Sequence, residues 1–108
     1  LRDFGRSAGR RLLSLVSPPD ALFCTSDKSA AGVIDVLRNR GVDIPGDFAV
    51  VSCDDDRLIS EALGIVPTGF AYPYNEIAAQ VLRLADEEEL GSAKHVEFGP
   101  RFVAGATA

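Results

Sequence analysis

A single histidine, two cysteines and no glycine-rich phosphate loop leave this 108-residue sequence short of most catalytic equipment. His95 alone cannot build a histidine pair or a His-rich zinc site, and a serine triad would need it as base with no nucleophile elbow in sight. Neither GxxxxGK[ST] nor GxGxxG occurs, so these phosphate-cradling loops are absent. No apolar run approaches the roughly 20 residues a bilayer span requires, and nothing at the N-terminus has signal-peptide architecture. Positive charge is also scarce. Eleven Lys and Arg stand against 16 Asp and Glu, a net charge of −5, which works against a duplex-binding surface. Cys24 and Cys53 each sit inside an apolar run, as reduced buried thiols do in cytosolic proteins. They could pair, but two thiols and one distant histidine are a weak metal signal, and no cofactor is indicated.

What remains is an ordinary globular composition, 46% hydrophobic and 25% charged, the size of one domain or a piece of one. A chain of this length buries roughly two-thirds of its unfolded surface, enough for a core. It opens on Leu1 rather than Met, close to or inside a helix, and a fragment of a longer protein is expected.

Hydrophobic periodicity organises the chain into alternating elements. Phe4, Ala8, Leu12 and Leu15/Val16 recur at helical spacing, with Arg2, Arg6 and Arg10 along one solvated face. Pro18-Pro19-Asp20 stops that helix. Ala21–Thr25 is a short apolar run of the kind buried on both faces of a parallel sheet. Ser26 and Asp27 follow as N-cap candidates for a helix whose stripe is Ala30, Val33, Ile34 and Leu37, with Gly41 as its stop. Phe48–Cys53 reads as a second buried strand. Asp54–Asp56 then lead into a short helix with Leu58, Ile59, Ala62 and Leu63, ended by Gly64. "GIVPTGFAY" is an extended segment, and Pro73 suits the first turn of a helix from Tyr74 to about Leu90, striped by Ile77, Val81, Leu84 and Ala85. Four acids, Asp86 to Glu89, lie at that helix's negative end, so fraying is expected. "HVEF" and "RFVAGA" read as a short β excursion around Gly99-Pro100.

Strand–helix–strand–helix alternation predicts an open α/β fold with a parallel sheet, and ligands of such folds bind at the carboxyl ends of strands. Ser26-Asp27 and Asp54-Asp55 fall there on two successive strands. The acidic triplet could hold Mg²⁺ in a receiver-like or phosphoryl-transfer domain. Alternatively, one of Asp54, Asp55 and Asp56 caps the short helix and the others interact with its dipole.

The stretch "PDALFCTSDKSAAGVIDVLRNRGVDIPGDFAVVSCDDD" resembles the effector-binding domain of the LacI/GalR family of bacterial transcription regulators. "PTGFAYPYNEIAAQVLRLA" resembles that family's hinge segment and following helix, and "FGPRFVAGATA" its close. The likeness covers nearly the whole chain, in order and at the family's spacing. Gly69 and Tyr72 depart from the usual Thr and Gln, and Ser52-Cys53 from the commoner Gly followed by Phe or Tyr.

This resemblance implies an α/β lobe: a parallel-sheet, three-layer part of a periplasmic-binding-protein-like sensor of type I. Residues 1–108 would be a partial effector-binding domain, mainly its C-terminal lobe, with the 74–90 helix packing in the other lobe. The implied function is non-enzymatic and cytoplasmic. A sugar or nucleoside-like effector would bind between lobes and modulate DNA binding by a helix-turn-helix head outside this chain. The implied partners are that effector and a homodimeric or larger assembly, with no membrane. Half of a periplasmic sugar-binding protein is the alternative that shares the fold. By position, Asp54 matches the carboxylate that accepts bonds from effector groups. Ser26 falls where many relatives have an effector-bonding Asn, and Tyr74 where relatives place an aromatic ring against the effector. Asp27 is favoured as a helix cap, Asp55 as a structural partner or cap, and Asp56 as a solvated charge at the helix start.

Overall fold

The computed structural model describes residues 1–86 and 95–108. Among these residues, four helices and four strands alternate: α1 Arg2–Leu13, β1 Ala21–Phe23, α2 Asp27–Arg38, β2 Ala49–Cys53, α3 Arg57–Leu63, β3 Thr68–Ala71, α4 Tyr74–Asp86 and β4 Arg101–Val103. The sheet order is β1-β2-β3-β4. β1, β2 and β3 run parallel, in registers that set Ala21 against Ala49 and Val51 against Thr68. The expected open α/β fold is therefore what forms.

The last strand differs from its expectation. "HVEF" forms no strand; β4 instead adds antiparallel to β3, with Phe70 opposite Phe102 and Ala71 opposite Arg101. The Phe70 and Phe102 rings meet edge-on, 5.8 Å between centroids. Beyond β4 the chain wedges Thr107 between two parallel strands. Its amide carbonyl accepts from Val50 N–H at 2.7 Å, its hydroxyl donates to the Val50 carbonyl, and Thr68 N–H donates to that hydroxyl at 2.8 Å.

The core lies between α2 and the sheet. Cys24, Ala30, Val33, Ile34, Leu37, Phe48 and Val50 are buried together, with Ala8, Leu12 and Leu22 packed against them. Each fully buried aliphatic side chain there contributes about 1.5–3 kcal/mol. β1 corrects the prediction of a strand buried on both faces. It is an edge strand, and Phe23 on its far face is 55% exposed.

α1 is a helix, but only part of the predicted stripe places it, since Ala8 and Leu12 meet the core. Phe4 is 71% exposed, and Leu15 and Val16 lie beyond the helix end and are exposed. The residues it buries are Gly5 and Gly9. A Cβ on Gly5 would strike the Ser29 carbonyl, and one on Gly32 of α2 would strike the Arg2 carbonyl. The two backbones thus touch where side chains would normally stand. Nor is the arginine row fully solvated: Arg2 and Arg6 both pair with Asp35 of α2, at 2.8 and 3.3 Å.

The remaining boundaries follow local chemistry. Gly64 ends α3 in the left-handed region at φ 65°, where a side chain would be disfavoured. α4 is described as far as Asp86; the rest of the predicted helix, including Glu87 to Glu89, lies outside the described residues.

Candidate functional site

Three parallel strands end at one edge of the sheet, and three turns leave from it. After β1 the chain turns at Ser26, whose hydroxyl accepts from Ser29 N–H at 3.3 Å and so caps α2. The cap is thus Ser26, not Asp27 as the sequence reading favoured. Asp27 turns inward and is 2% exposed. One carboxylate oxygen accepts from the Ser52 hydroxyl, the other from Asp56 N–H at 2.7 Å. The bonds tie the start of α2 to β2 and to the start of α3.

After β2, the acidic triplet divides its work. Asp54 N–H donates to the Phe70 carbonyl at 2.9 Å, extending the β2–β3 ladder by one bond. Asp54 and Asp55 then both take positive φ, 113° and 58°. Such conformations cost side-chain-bearing residues of order 1–3 kcal/mol each and persist where the surroundings over-determine them. Asp56 is the helix cap: its Oδ1 accepts from Leu58 N–H at 3.0 Å and from Ile59 N–H at 3.4 Å. That corrects its reading as a merely solvated charge.

Because of the turn, the other two carboxylates diverge. Asp54 Oδ1 faces the Tyr74 hydroxyl at 3.5 Å, a long contact that leaves most of its acceptor capacity unused. Asp55 Oδ2 meets the Arg101 guanidinium at 3.3 Å. Partial desolvation, together with the charge and hydrogen bond of Asp54, pushes the Tyr74 phenol up from its ordinary value, so it stays protonated as a donor. Three carboxylates with three different partners are not the convergent oxygen set a Mg²⁺ site takes. Among the described residues, no three His, Cys, Asp or Glu side chains come together as a metal site.

A cavity of about 530 Å³ opens beside this turn, lined among others by Asp54, Asp55, Tyr72, Tyr74, Glu76 and Arg101. A second, of about 410 Å³, runs from Asp54 and Tyr74 to Ser26 and Lys28. The Tyr72 and Tyr74 rings stand 5.9 Å apart, tilted by 56°. Asp54, Asp55, Ser26 and Tyr74, all singled out from sequence, thus share one concave edge, while Asp27 lies beneath it. Tyr72, Glu76, Lys28 and Arg101 join the lining without having been foreseen. In the sequence Tyr72 stands out only as a departure from the family's usual Gln. Arg101 reaches the site because β4 pairs with β3, which no local pattern discloses.

The cysteines do not pair. Cys24 follows Phe23, which faces Val51, so Cys24 sits beside Ser52 and Cys53 one residue further on. Successive strand residues point to opposite faces, and both thiols are free and buried. Burial, with the Asp27 charge adding, pushes the Cys24 thiol up to about 11. His95 is exposed, against Glu97 at 3.0 Å.

Comparison with known proteins places this edge in context. Residues 2–107 match the family described as "Periplasmic binding protein-like domain". The chain is 39% identical over 100 residues to the probable HTH-type transcriptional repressor ExuR of Bacillus subtilis, covering 86% of this chain and 29% of the relative. A LacI transcriptional regulator from a Rhodococcus species superposes with a TM-score of 0.85 at 28% identity, over 98% of this chain and 40% of that one. A LacI-family regulator from Lactobacillus casei with bound glucose gives a TM-score of 0.75 at 28% identity, over 96% of this chain and 38% of that one. The chain spans less than a third of the length of the curated repressors it matches.

Proposed function

The chain belongs to the periplasmic-binding-protein-like domain family, as effector-binding-domain sequence of the LacI/GalR type, and from that premise we propose that its acidic edge is one wall of an effector cleft. The effector is a small polyhydroxylated molecule, a sugar or a nucleoside-like compound. Its binding modulates DNA affinity through a helix-turn-helix head carried elsewhere in the intact regulator, a coupling between two sites. The domain acts by binding and not by catalysis, in keeping with relatives that are transcriptional repressors.

One observation carries the reading. Asp54 stands at the carboxyl end of a central strand, held at positive φ, with its carboxylate turned to a cavity and met, among the described residues, only by a long Tyr74 contact. A ligand hydroxyl or ring N–H supplies the bonds that carboxylate still lacks. Tyr74 offers a face and a hydroxyl, and Ser26 lines the adjoining space. Asp55 serves by holding Arg101. The glucose in the L. casei regulator supports a sugar-sized occupant.

The domain assignment belongs to the same proposal. Residues 1–108 form mainly the C-terminal lobe, and α4 packs against the other lobe or a second copy in a homodimer. The regulator works in the cytoplasm; among the described residues no helix is long and apolar enough to cross a membrane.

The test is a thermal-shift screen of sugars and nucleosides on the intact regulator, since a ligand that binds only the folded state raises the melting temperature. Asp54→Asn is expected to abolish the shift given by the active compound, a loss of about 1.5–3 kcal/mol for a hydrogen bond to a charged group, without lowering the unliganded melting temperature. A normal response in Asp54→Asn together with a lost response in Asp55→Asn would move the contact to the neighbouring carboxylate.

A further inference from the structure

Asp54 and Asp55 hold an unfavourable backbone shape, and something must impose it. One end of their turn is pinned by the ladder bond from Asp54 N–H to the Phe70 carbonyl. The other end is pinned at Asp56, whose amide donates to Asp27 Oδ2 while its own side chain caps α3. Between the pins stand two consecutive residues at φ 113° and 58°. Neither is glycine, the residue that adopts this region without cost. The cap alone does not fix the turn, because an N-cap side chain orients the helix that follows it, not the residues before it.

We infer that Asp27 is a positioning residue: its buried carboxylate fastens Ser52 and the Asp56 amide together and so holds Asp54 and Asp55 in the left-handed turn that aims them at the cleft. The inference rests on the effector-cleft reading above and deepens it. Asp27 lies beneath the edge at 2% exposure with both oxygens occupied. It also belongs to the first turn of α2, directly after the Ser26 cap. A shift of α2 against β2 is thereby transmitted to the Asp54–Asp55 backbone through one side chain. Ser52 takes part by donating from the middle of the parallel sheet, where it is itself buried.

Asparagine is the discriminating substitution. In Asp27→Asn the Oδ1 atom still accepts from Asp56 N–H, and the amide nitrogen donates to the Ser52 hydroxyl, which accepts in place of donating. Both fastenings survive, whereas Asp27→Ala has neither. The readout is the intraresidue amide-to-Hα nuclear Overhauser effect of residues 54 and 55 in the isotope-labelled chain, which is strong at positive φ and weak in extended backbone. The amide chemical-shift dispersion of the rest of the chain serves as the folding control.

The expected result is a strong signal at both aspartates in the parent and in Asp27→Asn, lost in Asp27→Ala while the amide dispersion of the rest of the chain is kept. Ser52→Ala, which leaves the Asp56 bond in place, gives a partial loss and serves if Asp27→Ala does not fold. Unchanged signals at 54 and 55 in Asp27→Ala, or in Ser52→Ala in that case, overturn the positioning role. Binding to the intact regulator is then measured with glucose, sucrose and cellobiose as probes. The affinity of whichever probe the parent binds is expected to fall at least tenfold in Asp27→Ala and to be restored in Asp27→Asn. A lost backbone signal with unchanged affinity overturns the assignment of Asp54 as the effector contact and leaves the fastening itself intact.

Discussion

Helices α2 and α4 are nearly equal in length, 12 and 13 residues, and both carry an apolar stripe at helical spacing. α2 buries most of its length, including Ala30, Val33, Ile34 and Leu37. α4 buries no residue, and Val81 on its stripe is 58% exposed. Amphipathicity therefore reports that a helix has a face to cover, without naming the cover. For α2 it is α1 on one side and β2 on the other. For α4, no described residue buries it, which is where the proposed second lobe or second copy enters.

The comparison breaks most visibly at a glycine. Gly32 of α2 lies against the Arg2 carbonyl and the Arg6 amide of α1, with no room for a Cβ. Gly32→Leu is expected to cost at least 3 kcal/mol, the upper end of overpacking penalties, because backbone rather than a yielding side chain receives the added atoms. Urea unfolding followed by circular dichroism measures it. A cost below about 1 kcal/mol would mean that α1 slides aside, and the α1–α2 contact is then not the rigid partner of the comparison.

The Cys24 thiol probes the same core through pH. Its folded-state pKa of about 11 lies above the ordinary 9.0. Between these values the unfolded chain releases a proton that the folded chain keeps. Stability is therefore unaffected below pH 9 and falls as pH rises toward 11, by about 1–2 kcal/mol for a buried thiol. Parent and Cys24→Ala, unfolded in urea at pH 8 and pH 10.5, are expected to differ in slope: the parent loses stability and the variant loses less. Equal losses would trace the alkaline weakening to other groups.

These two sites also show what the sequence made legible. α2 was readable because its information is local: the Ser26 cap, the i, i+3, i+4 stripe, and a turn glycine beyond it. Gly64 and the β2 run were readable for the same reason. Gly5 and Gly9 were not, since a mid-helix glycine reads locally as a cost and becomes an advantage only against its neighbours on α2, Ser29 and Gly32 for Gly5 and Val33 and Val36 for Gly9. The Phe23 exposure depends on which strands flank β1, and the arrival of Arg101 depends on β4 choosing β3 over "HVEF". At the site, strand-end position put Ser26, Asp54 and Asp55 at one edge, with Asp27 buried beneath it, and the family resemblance added Tyr74. The capping roles of Ser26 and Asp56 went partly to their neighbours, because adjacent Ser and Asp residues offer equivalent acceptors until the backbone angles distinguish them.

A smaller effect separates the glycine contact from the charges around it. Asp35 accepts from both Arg2 and Arg6, with its side chain 24% exposed. Asp35→Asn is expected to cost about 0.5–1 kcal/mol, shrinking as sodium chloride rises toward 1 M, as for exposed ion pairs generally. A salt-independent cost above about 2 kcal/mol would show that charge, and not close backbone approach, holds α1 on α2.

The smallest effect belongs to α4 and sharpens the comparison where it began. Val81→Asp changes a half-exposed residue on a helix with nothing buried. At dilute concentration it is expected to alter unfolding free energy by no more than about 0.5 kcal/mol. A homologous deletion in the stripe of α2, Val33→Ala, costs several times more because it opens a cavity in a filled core. If α4 is the face by which a second copy docks, Val81→Asp also lowers the light-scattering mass at micromolar concentration to that of the monomer. A cost above about 1.5 kcal/mol in the dilute monomer would place α4 against its own chain. A monomeric mass in the parent would instead leave the other lobe of the regulator as the surface that covers it.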